Sequence, residues 1–261
     1  MTGERVQVRQ DGDLLWVTLN DPDRANALSP AMTGEITAIY RRPWREEGVR
    51  AILLSGAGKN FSAGADLEHL RSLRDAGPDE NLRDSLRLKD LFESILRQEA
   101  LTIALVHGAC VAGGCGLATA HDFVVAAEDS RFLYSEVRIG FVAALVATFL
   151  PLRLRGSDIR ELLLNPQFVD ARRALEIGLV NRVVPDEALE AQTMAVARQI
   201  ASGPRIANRY IKQNLNAAEE GRLEAMFEME ATNLTRTRLT QDHAEAAKAF
   251  LEKRPPVFKG K

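Results

Sequence analysis

Two segments, FSAGAD (61–66) and AGGCG (112–116), decide the fold, because each joins a predicted strand to the start of a predicted helix. Small residues let a ligand approach the backbone closely. The first N–H groups of a helix have no partner within the helix and point outward. Two such turns facing each other would supply two backbone donors to one oxygen atom, as in an oxyanion hole. Two tight structural turns are the plainer interpretation, which local spacing alone favours.

Outward from these turns, strands and helices alternate. The predicted strands are 14–19, 50–55, 101–106, 122–127 and 179–184, and the predicted helices are 30–40, 67–74, 82–99 and 142–154. This alternation favours an α/β fold with parallel sheets. From residue 186 the pattern is helical, with predicted helices at about 186–201, 205–219, 222–237 and 240–252, separated in part by Gly203-Pro204 and Gly221.

Charge and composition exclude several classes of protein. The 261 residues include 34 Lys and Arg against 36 Asp and Glu, a net charge of -2, which argues against a nucleic-acid partner. No apolar run approaches the ~18 residues of a membrane helix, and the first residues do not resemble a secretory signal. Cys110 and Cys115 lie in one apolar run, so we expect two buried thiols, no metal site and a reduced, cytoplasmic location.

Other ligand motifs are weak or missing. Residues 114–119 read G-x-G-x-x-T, with Glu136 downstream, but the third glycine or alanine of a dinucleotide fingerprint is missing. The segment 56–59 lacks the spacing of a phosphate-binding loop, and no G-x-S-x-G or H-E-x-x-H motif occurs.

A series of motifs resembles the crotonase family, also called the enoyl-CoA hydratase/isomerase family. The resemblance covers nearly the whole chain and rests on NDPDRANAL (20–28), FSAGADL (61–67), VHGACVAGGCGLATAHD (106–122), SEVRIGFV (135–142), ALEIGLVNRVVP (174–185) and the tail KRPPVFKGK (253–261). It implies an α/β fold of the crotonase type, a β-β-α spiral with a helical C-terminal region. Residues 1–200 would form the core that carries the coenzyme A site, and residues 201–261 a helical trimerisation region.

The resemblance also implies a substrate and an assembly. The substrate would be an acyl-CoA thioester, as in fatty acid metabolism, so that coenzyme A is part of the substrate and no separate cofactor is expected. The chain would form a homotrimer or homohexamer, with no nucleic-acid or membrane partner.

Matching by motif position assigns roles to individual residues. The backbone N–H groups of Ala65 and Gly113 would form the oxyanion hole. The coenzyme A site would include Arg24, Ala25, Ala63, Ala65, Asp66, Leu67, Phe258 and Lys261, the last two reaching the coenzyme A of a neighbouring subunit.

The chain departs from the family at Gly116, where hydratases commonly carry a glutamate; Glu136 matches their second glutamate. The leading interpretation is an enoyl-CoA hydratase that adds water across the 2,3 double bond, with Glu136 as the catalytic residue. A 3,2-trans-enoyl-CoA isomerase with Glu136 as sole acid/base is the alternative that Gly116 favours. The missing glutamate also leaves a non-catalytic CoA-binding protein open.

Environment should decide how Glu136 behaves. We expect an apolar pocket formed with Phe141 and Val142 to raise its pKa, unless Arg131 or Arg138 pairs with it. Other polar residues near the motifs are expected to be structural, with Asp66 as a helix N-cap and Asp122, His107 and His121 as hydrogen-bonded residues. Tyr134 is expected to line the acyl pocket.

Overall fold

The computed structural model describes residues 5–74, 76–257 and 259. These residues form strands β1 (Val6–Asp11), β2 (Leu14–Leu19), β3 (Ala51–Gly56), β4 (Leu101–Val106), β5 (Ala109–Val111), β6 (Phe123–Ala127), β7 (Arg131–Leu133), β8 (Val169–Asp170) and β9 (Arg182–Val184). They also form helices α1 (Pro30–Tyr40), α2 (Leu67–Arg74), α3 (Pro78–Leu96), α4 (Gly113–Thr119), α5 (Ala144–Phe149), α6 (Gly156–Leu164), α7 (Ala171–Ile177), α8 (Leu189–Ala201), α9 (Arg205–Arg238) and α10 (Gln241–Leu251).

A six-stranded sheet, in the order β1-β2-β3-β4-β6-β9, organises the chain. All neighbouring strands are parallel except β1 and β2, which are antiparallel. Strands β5, β7 and β8 form a second, smaller sheet. The run β4-β5-α4 is a β-β-α unit that places one strand in each sheet, and β6-β7 repeats the two strands. The expected α/β class with parallel strands is therefore confirmed.

Both faces of the large sheet are covered. Strand β4 is buried along almost its whole length, as its continuous apolar sequence LTIALV predicts. On one face, buried side chains from β3, β4 and β6 pack against α8; on the other, they join the larger core that includes α1 and α3. Each fully buried aliphatic side chain stabilises the fold by about 1.5–3 kcal/mol, so these two layers fix the loops at the strand ends.

Helix α9 is continuous from Arg205 to Arg238, so the predicted break at Gly221 is wrong. Glycine inside a helix costs only about 1 kcal/mol relative to alanine, less than the packing of α9 against α3 and α5 provides. Near one end of the helix, the Lys212 ammonium donates to Asp122 Oδ2 at 2.7 Å and to the Ala100 carbonyl at 3.1 Å. Asp122 also accepts from the Thr102 N–H at 2.8 Å, which confirms its structural role.

Proline explains where one predicted helix begins and where another ends. Helix α3 begins at Pro78, four residues earlier than predicted, with proline in its first turn. Helix α5 ends at Phe149 because Pro151, two residues later, cannot continue it, and a short 3₁₀ turn follows. Strand β1 was not predicted, because its sequence VQVRQD is largely polar and only Val6 is fully buried. Within the described ranges, every helix is too short or too polar to cross a bilayer.

Asn26 holds the loop of the NDPDRANAL segment in place. It is fully buried, and its backbone lies in the left-handed region with φ of +53°. Its side-chain amide donates to the carbonyl oxygens of Ala57 and Asn60, both at 2.9 Å, and of Phe61 at 3.2 Å. The oxygen of the same side-chain amide, Oδ1, accepts from the Asp21 N–H at 3.0 Å. One side chain thus ties this loop to the segment that leads into FSAGAD.

We expect Asn26→Ala to lower the free energy of unfolding by about 2–4 kcal/mol. The substitution leaves buried backbone groups without partners and puts alanine in a left-handed conformation that asparagine tolerates better. Urea unfolding followed by circular dichroism measures the loss. Asn165→Ala, at the exposed position that follows α6, is the control and should change stability by no more than about 0.5 kcal/mol. Equal stability of the two variants would contradict the role assigned to Asn26.

Candidate active site

The two glycine turns lie directly against each other. Gly64 has a φ of +82°, and a Cβ atom built on it would lie 2.5 Å from the Val111 carbonyl oxygen and 3.1 Å from the Gly113 nitrogen. The Val111 N–H donates to the Ser62 carbonyl at 2.9 Å. Only glycine can occupy position 64 without moving these atoms, so the absence of a side chain there allows the backbone contact.

Ala65 and Gly113 lie beside this contact. Ala112 has φ of +49° and ψ of -121°, a strained conformation for alanine, and α4 starts at the next residue. Ala65 and Gly113 both line one cleft. Neither N–H donates a hydrogen bond to any other described residue. That both donors address one oxygen atom stays a prediction.

The cleft contains about 840 Å³ of empty space, including its opening to solvent. Its lining is mostly apolar and includes Leu28, Leu70, Leu88, Phe92, Ile139, Phe141, Val142, Leu145, Val146 and Leu234. Apolar walls of this kind suit the hydrocarbon part of a small ligand.

Glu136 is set into the apolar part of the cleft. It is the first residue of a 3₁₀ turn, Glu136–Ile139, that follows β7, and it is 8% exposed. Burial raises the pKa of its carboxyl to about 7. The two nearby arginines do not pair with it, because Arg138 donates to the Pro166 carbonyl and the Arg131 guanidinium lies 5.4 Å from the centre of the Phe168 ring. The expected rise in pKa is confirmed.

Apolar side chains fill the space next to Gly116. A Cβ atom built on Gly116 would lie 2.7 Å from Val146 Cγ2 and 2.9 Å from Phe92 Cζ. A glutamate at this position would require both side chains to move. Of the carboxyl groups that line the cleft, Asp66 and Asp84 each pair with an arginine, at 2.8 and 2.7 Å. Glu136 is the lining carboxyl with no ion pair among the described residues.

Residues assigned to coenzyme A form two hydrogen-bonded pairs beside the cleft, Ala25 with Ala63 and Arg24 with Asp66. The Ala63 N–H donates to the Ala25 carbonyl at 2.8 Å, which joins two of the matched segments. Asp66 Oδ1 accepts from the Glu68 N–H at 3.0 Å and from Arg24 Nη2 at 2.8 Å, so its expected role at the start of α2 is confirmed.

The remaining residues assigned to coenzyme A differ in their surroundings. Leu67 is 53% exposed in the first turn of α2. Phe258 and Lys261 lie outside the described residues.

The two histidines beside the second turn are structural, as expected. Buried His121 makes hydrogen bonds with the Tyr40 hydroxyl at 2.6 Å and the Leu117 carbonyl at 2.8 Å, and burial lowers its pKa to about 3. His107 Nε2 bonds the Gly58 carbonyl at 3.0 Å. The expectation for Tyr134 is wrong, because this side chain is 1% exposed in the core and does not line the cleft.

Sequence reasoning missed a second polar group in the cleft wall, formed by His69, Asp84, Arg87 and Arg238. The spacing of Asp84 and Arg87 on one helix face was visible in the sequence. Arg238 comes from the end of α9, and only the packing of α9 against α3 brings it to them. In the described ranges, no three His, Cys, Asp or Glu residues cluster in a way that could hold a metal ion. Cys110 and Cys115 are free and buried, as expected.

Comparisons with known proteins point to one family. Residues 9–261 match the family described as Enoyl-CoA hydratase/isomerase. A Thermus thermophilus protein described as a candidate enoyl-CoA hydratase is 42% identical over 253 residues, covering 97% of this chain and 100% of that protein. The 1,2-epoxyphenylacetyl-CoA isomerase of Escherichia coli is 30% identical over 253 residues, covering 95% of each. An enoyl-CoA hydratase/isomerase structure from Xanthobacter autotrophicus has a TM-score of 0.88 and 30% identity, covering 96% of this chain and 94% of that one.

The surroundings of Glu136 predict a pH-dependent stability. The pKa of its carboxyl is about 7 in the folded protein, against an ordinary value of 4.5. Because the folded state favours protonation, this stabilisation is complete below about pH 4.5 and is lost as the pH rises through about 7. Glu136→Gln stays neutral and should be more stable than the parent by about 3 kcal/mol at about pH 8.5, and equally stable at about pH 4.

Urea unfolding at both pH values, at one protein concentration, tests this expectation. The control is Glu187→Gln, at an exposed position in the turn before α8, which should follow the parent at both pH values. If Glu136→Gln is no more stable than the parent at about pH 8.5, another group compensates the charge of the buried carboxylate, and the expectation is wrong.

Proposed function

Because this chain belongs to the enoyl-CoA hydratase/isomerase family and is an enzyme of hydratase or isomerase type, we propose that it moves a proton between carbons of an enoyl-CoA thioester. Glu136 would be the only acid/base, and the reaction would convert a 3-enoyl-CoA into a 2-enoyl-CoA. One observation carries the proposal. Val146 and Phe92 fill the space beside Gly116, where a hydratase with two carboxylates would place the second one to hold water.

The proposed reaction needs one carboxylate and two N–H donors. The Glu136 carboxylate removes a proton from C2 of the 3-enoyl thioester, and the electron pair of that C–H bond moves toward the thioester oxygen. The Ala65 and Gly113 N–H groups donate to the negative oxygen, and fixed backbone donors need little reorganisation as the charge forms. The neutral Glu136 carboxyl then protonates C4 as the double bond moves from C3–C4 to C2–C3. The proton taken at the start is returned, so no water or cofactor is consumed.

The environment of Glu136 suits a group that both takes and returns a proton. A catalytic acid/base works best when its pKa lies near the working pH, since both protonation states are then accessible. The pKa of Glu136 is about 7 because burial disfavours the charged form. Its position in an apolar wall also keeps the carboxylate from being solvated by bulk water.

Coenzyme A would bind at the rim that Arg24, Ala25, Ala63, Ala65, Asp66 and Leu67 form. This location is supported by the exposure of Ala63, Ala65 and Leu67 immediately beside the predicted oxyanion site. Phe258 and Lys261 would extend the site across a subunit boundary. Coenzyme A enters and leaves as part of the substrate in this proposal.

Hydration of a 2-enoyl-CoA is the second candidate, favoured by the descriptions of relatives such as the Thermus thermophilus protein. Glu136 would then activate water for attack at C3, and a proton would be delivered to C2. With one acid/base group, both transfers pass through the same carboxyl. The cleft offers this reaction no second unpaired carboxyl among the described residues, which is why we place isomerisation first.

Glu136→Gln should lower kcat by roughly 100-fold to 10,000-fold on 3-hexenoyl-CoA while leaving the affinity for a saturated acyl-CoA nearly unchanged. For the parent enzyme, kcat/KM should fall as the pH drops below about 7, because only the ionised carboxylate removes the first proton. Formation of the conjugated 2-enoyl thioester, followed by its ultraviolet absorbance, measures both effects. Glu187→Gln is the control and should retain parent activity.

Crotonyl-CoA, assayed separately, distinguishes the two candidates. Turnover of crotonyl-CoA without turnover of 3-hexenoyl-CoA would replace the isomerase by the hydratase. Parent-like turnover by Glu136→Gln on both thioesters would exclude Glu136 as the acid/base. Binding without turnover of either would contradict both reactions.

We further propose a homotrimer or a dimer of trimers. Large apolar side chains stand exposed on the C-terminal helices and the turn between them, including Ile211, Leu215, Leu239, Phe250 and Leu251. Exposed apolar surface of this kind favours association, because a second copy of the chain can remove it from water. Light scattering after size-exclusion chromatography, at about 10 µM chain, should give a mass of at least three chains, and a monomer at that concentration would contradict the proposal.

A further inference from the structure

A charged group interrupts the apolar wall of the cleft. His69 of α2, Asp84 and Arg87 of α3, and Arg238 near the end of α9 all line the same cleft as Glu136. We call these four residues the polar corner. The proposed reaction uses none of them, since Glu136, Ala65 and Gly113 complete the proton transfer.

Asp84 is the centre of the polar corner. Its Oδ1 lies 2.7 Å from His69 Nε2 and accepts from Arg87 Nη2 at 3.0 Å. Its Oδ2 lies 2.7 Å from Arg238 Nη2. Although burial opposes ionisation, Arg238 and His69 hold the pKa of Asp84 below its ordinary value. Asp84 is therefore a carboxylate, and its one negative charge faces two guanidinium groups.

The polar corner carries one surplus positive charge, even with His69 neutral. Arg238 is nearly buried, with 6% of its side chain exposed, and its guanidinium lies 5.2 Å from the centre of the Phe141 ring. Its Nε has no hydrogen-bond partner among the described residues. Asp66, at the rim, is already paired with Arg24. Among the described residues, no carboxylate other than Asp84 pairs with Arg87 or Arg238.

Arg87 is the member with donors to spare. Its side chain is 48% exposed, and one of its nitrogens binds Asp84. In the described structure, the other guanidinium N–H groups of Arg87 make no hydrogen bond. A guanidinium with free N–H groups matches a second carboxylate by two parallel hydrogen bonds. A plain alkyl chain would gain nothing at this part of the wall, because it would bury the Arg87 guanidinium without accepting a hydrogen bond from it, which costs free energy.

We propose that the polar corner binds a carboxylate at the far end of the acyl group, so that the substrates are CoA thioesters of unsaturated dicarboxylic acids. The inference rests on the proposed function for the thioester end of the substrate. Arg87 is the main donor and is held in the cleft wall by Asp84, which the buried Arg238 fixes from its other oxygen. A purely structural cluster, which only joins α2, α3 and α9, would treat charged and uncharged acyl groups alike.

Binding of saturated thioesters tests the inference independently of turnover. We would measure Kd by calorimetry on the full-length protein for glutaryl-, adipyl- and suberyl-CoA against pentanoyl-, hexanoyl- and octanoyl-CoA. At one or more chain lengths, the dicarboxylic thioester should bind roughly 10-fold to 100-fold more tightly than its uncharged partner. No preference at any of the three lengths would overturn the inference.

Variants of α3 assign the preference to Arg87. Arg87→Met should remove most of it while changing the Kd for the uncharged thioesters by less than about threefold, and Arg87→Lys should retain part of it. The matched control is Arg83→Met, on the same helix, whose Nε donates to the Asp79 carbonyl and which does not line the cleft. An equal loss for charged and uncharged thioesters in Arg87→Met would show a structural role and overturn the inference.

Turnover separates this inference from the proposed function. With 3-hexenedioyl-CoA and 3-hexenoyl-CoA, the parent should favour the dicarboxylic substrate in kcat/KM, and Arg87→Met should lose that preference. Preferential binding of the dicarboxylic thioesters without isomerisation or hydration would overturn the proposed function but leave the polar corner as a carboxylate site. Turnover of the uncharged substrate with no preference for binding the dicarboxylic thioesters would overturn this inference but leave the proposed function in place.

Discussion

The site depends on one backbone contact, in which Gly64 lies directly against residues 111–113 with no side chain of its own between them. A methyl group on Gly64 would lie 2.5 Å from the Val111 carbonyl oxygen, closer than a Cβ atom approaches such an oxygen in real proteins, so the two loops would have to separate. Their contact is what puts Ala65 and Gly113 on one cleft. The surrounding structure maintains it from both sides, through the Asn26 amide and the two sheets, since the first loop follows β3 of the large sheet and the second follows β5 of the small one.

The acidic residues of the cleft differ in their partners. Asp66 has Arg24 and the first N–H groups of α2, and Asp84 has two arginines and a histidine. Glu136 has burial alone, which raises its pKa to about 7. The proton transfer that we propose therefore uses the carboxyl that has no cation beside it, while the paired carboxylates organise their surroundings.

Much of this arrangement could be predicted from the sequence, because it depends on local signals. Strand β4 is recognisable from an unbroken apolar run, and the two turns from small residues between a strand and a helix. The motif order predicted the crotonase-type α/β fold, which the relatives confirm.

Features decided by distant packing could not be predicted. Gly221 predicts a break between two helices, but α9 is continuous there and packs against α3 and α5. Arg238 meets Asp84 across most of the length of the chain, and no spacing rule connects them. Tyr134 adjoins the Ser135-Glu136 pair in sequence, yet the turn of the backbone points it into the core.

The length of α9 has a consequence for how such an enzyme diversifies. At about 1.5 Å per residue the helix spans roughly 50 Å, with Lys212 fixed to the sheet near one end and Arg238 in the cleft wall at the other. The residues that would choose the acyl group come from helices α2, α3 and α9, whereas those that would move the proton come from the segments that follow β3, β5 and β7. Mutation and selection can therefore retune selectivity in one layer while the chemistry persists in the other, and gene duplicates of such a chain can acquire new substrates without rebuilding their reaction centre.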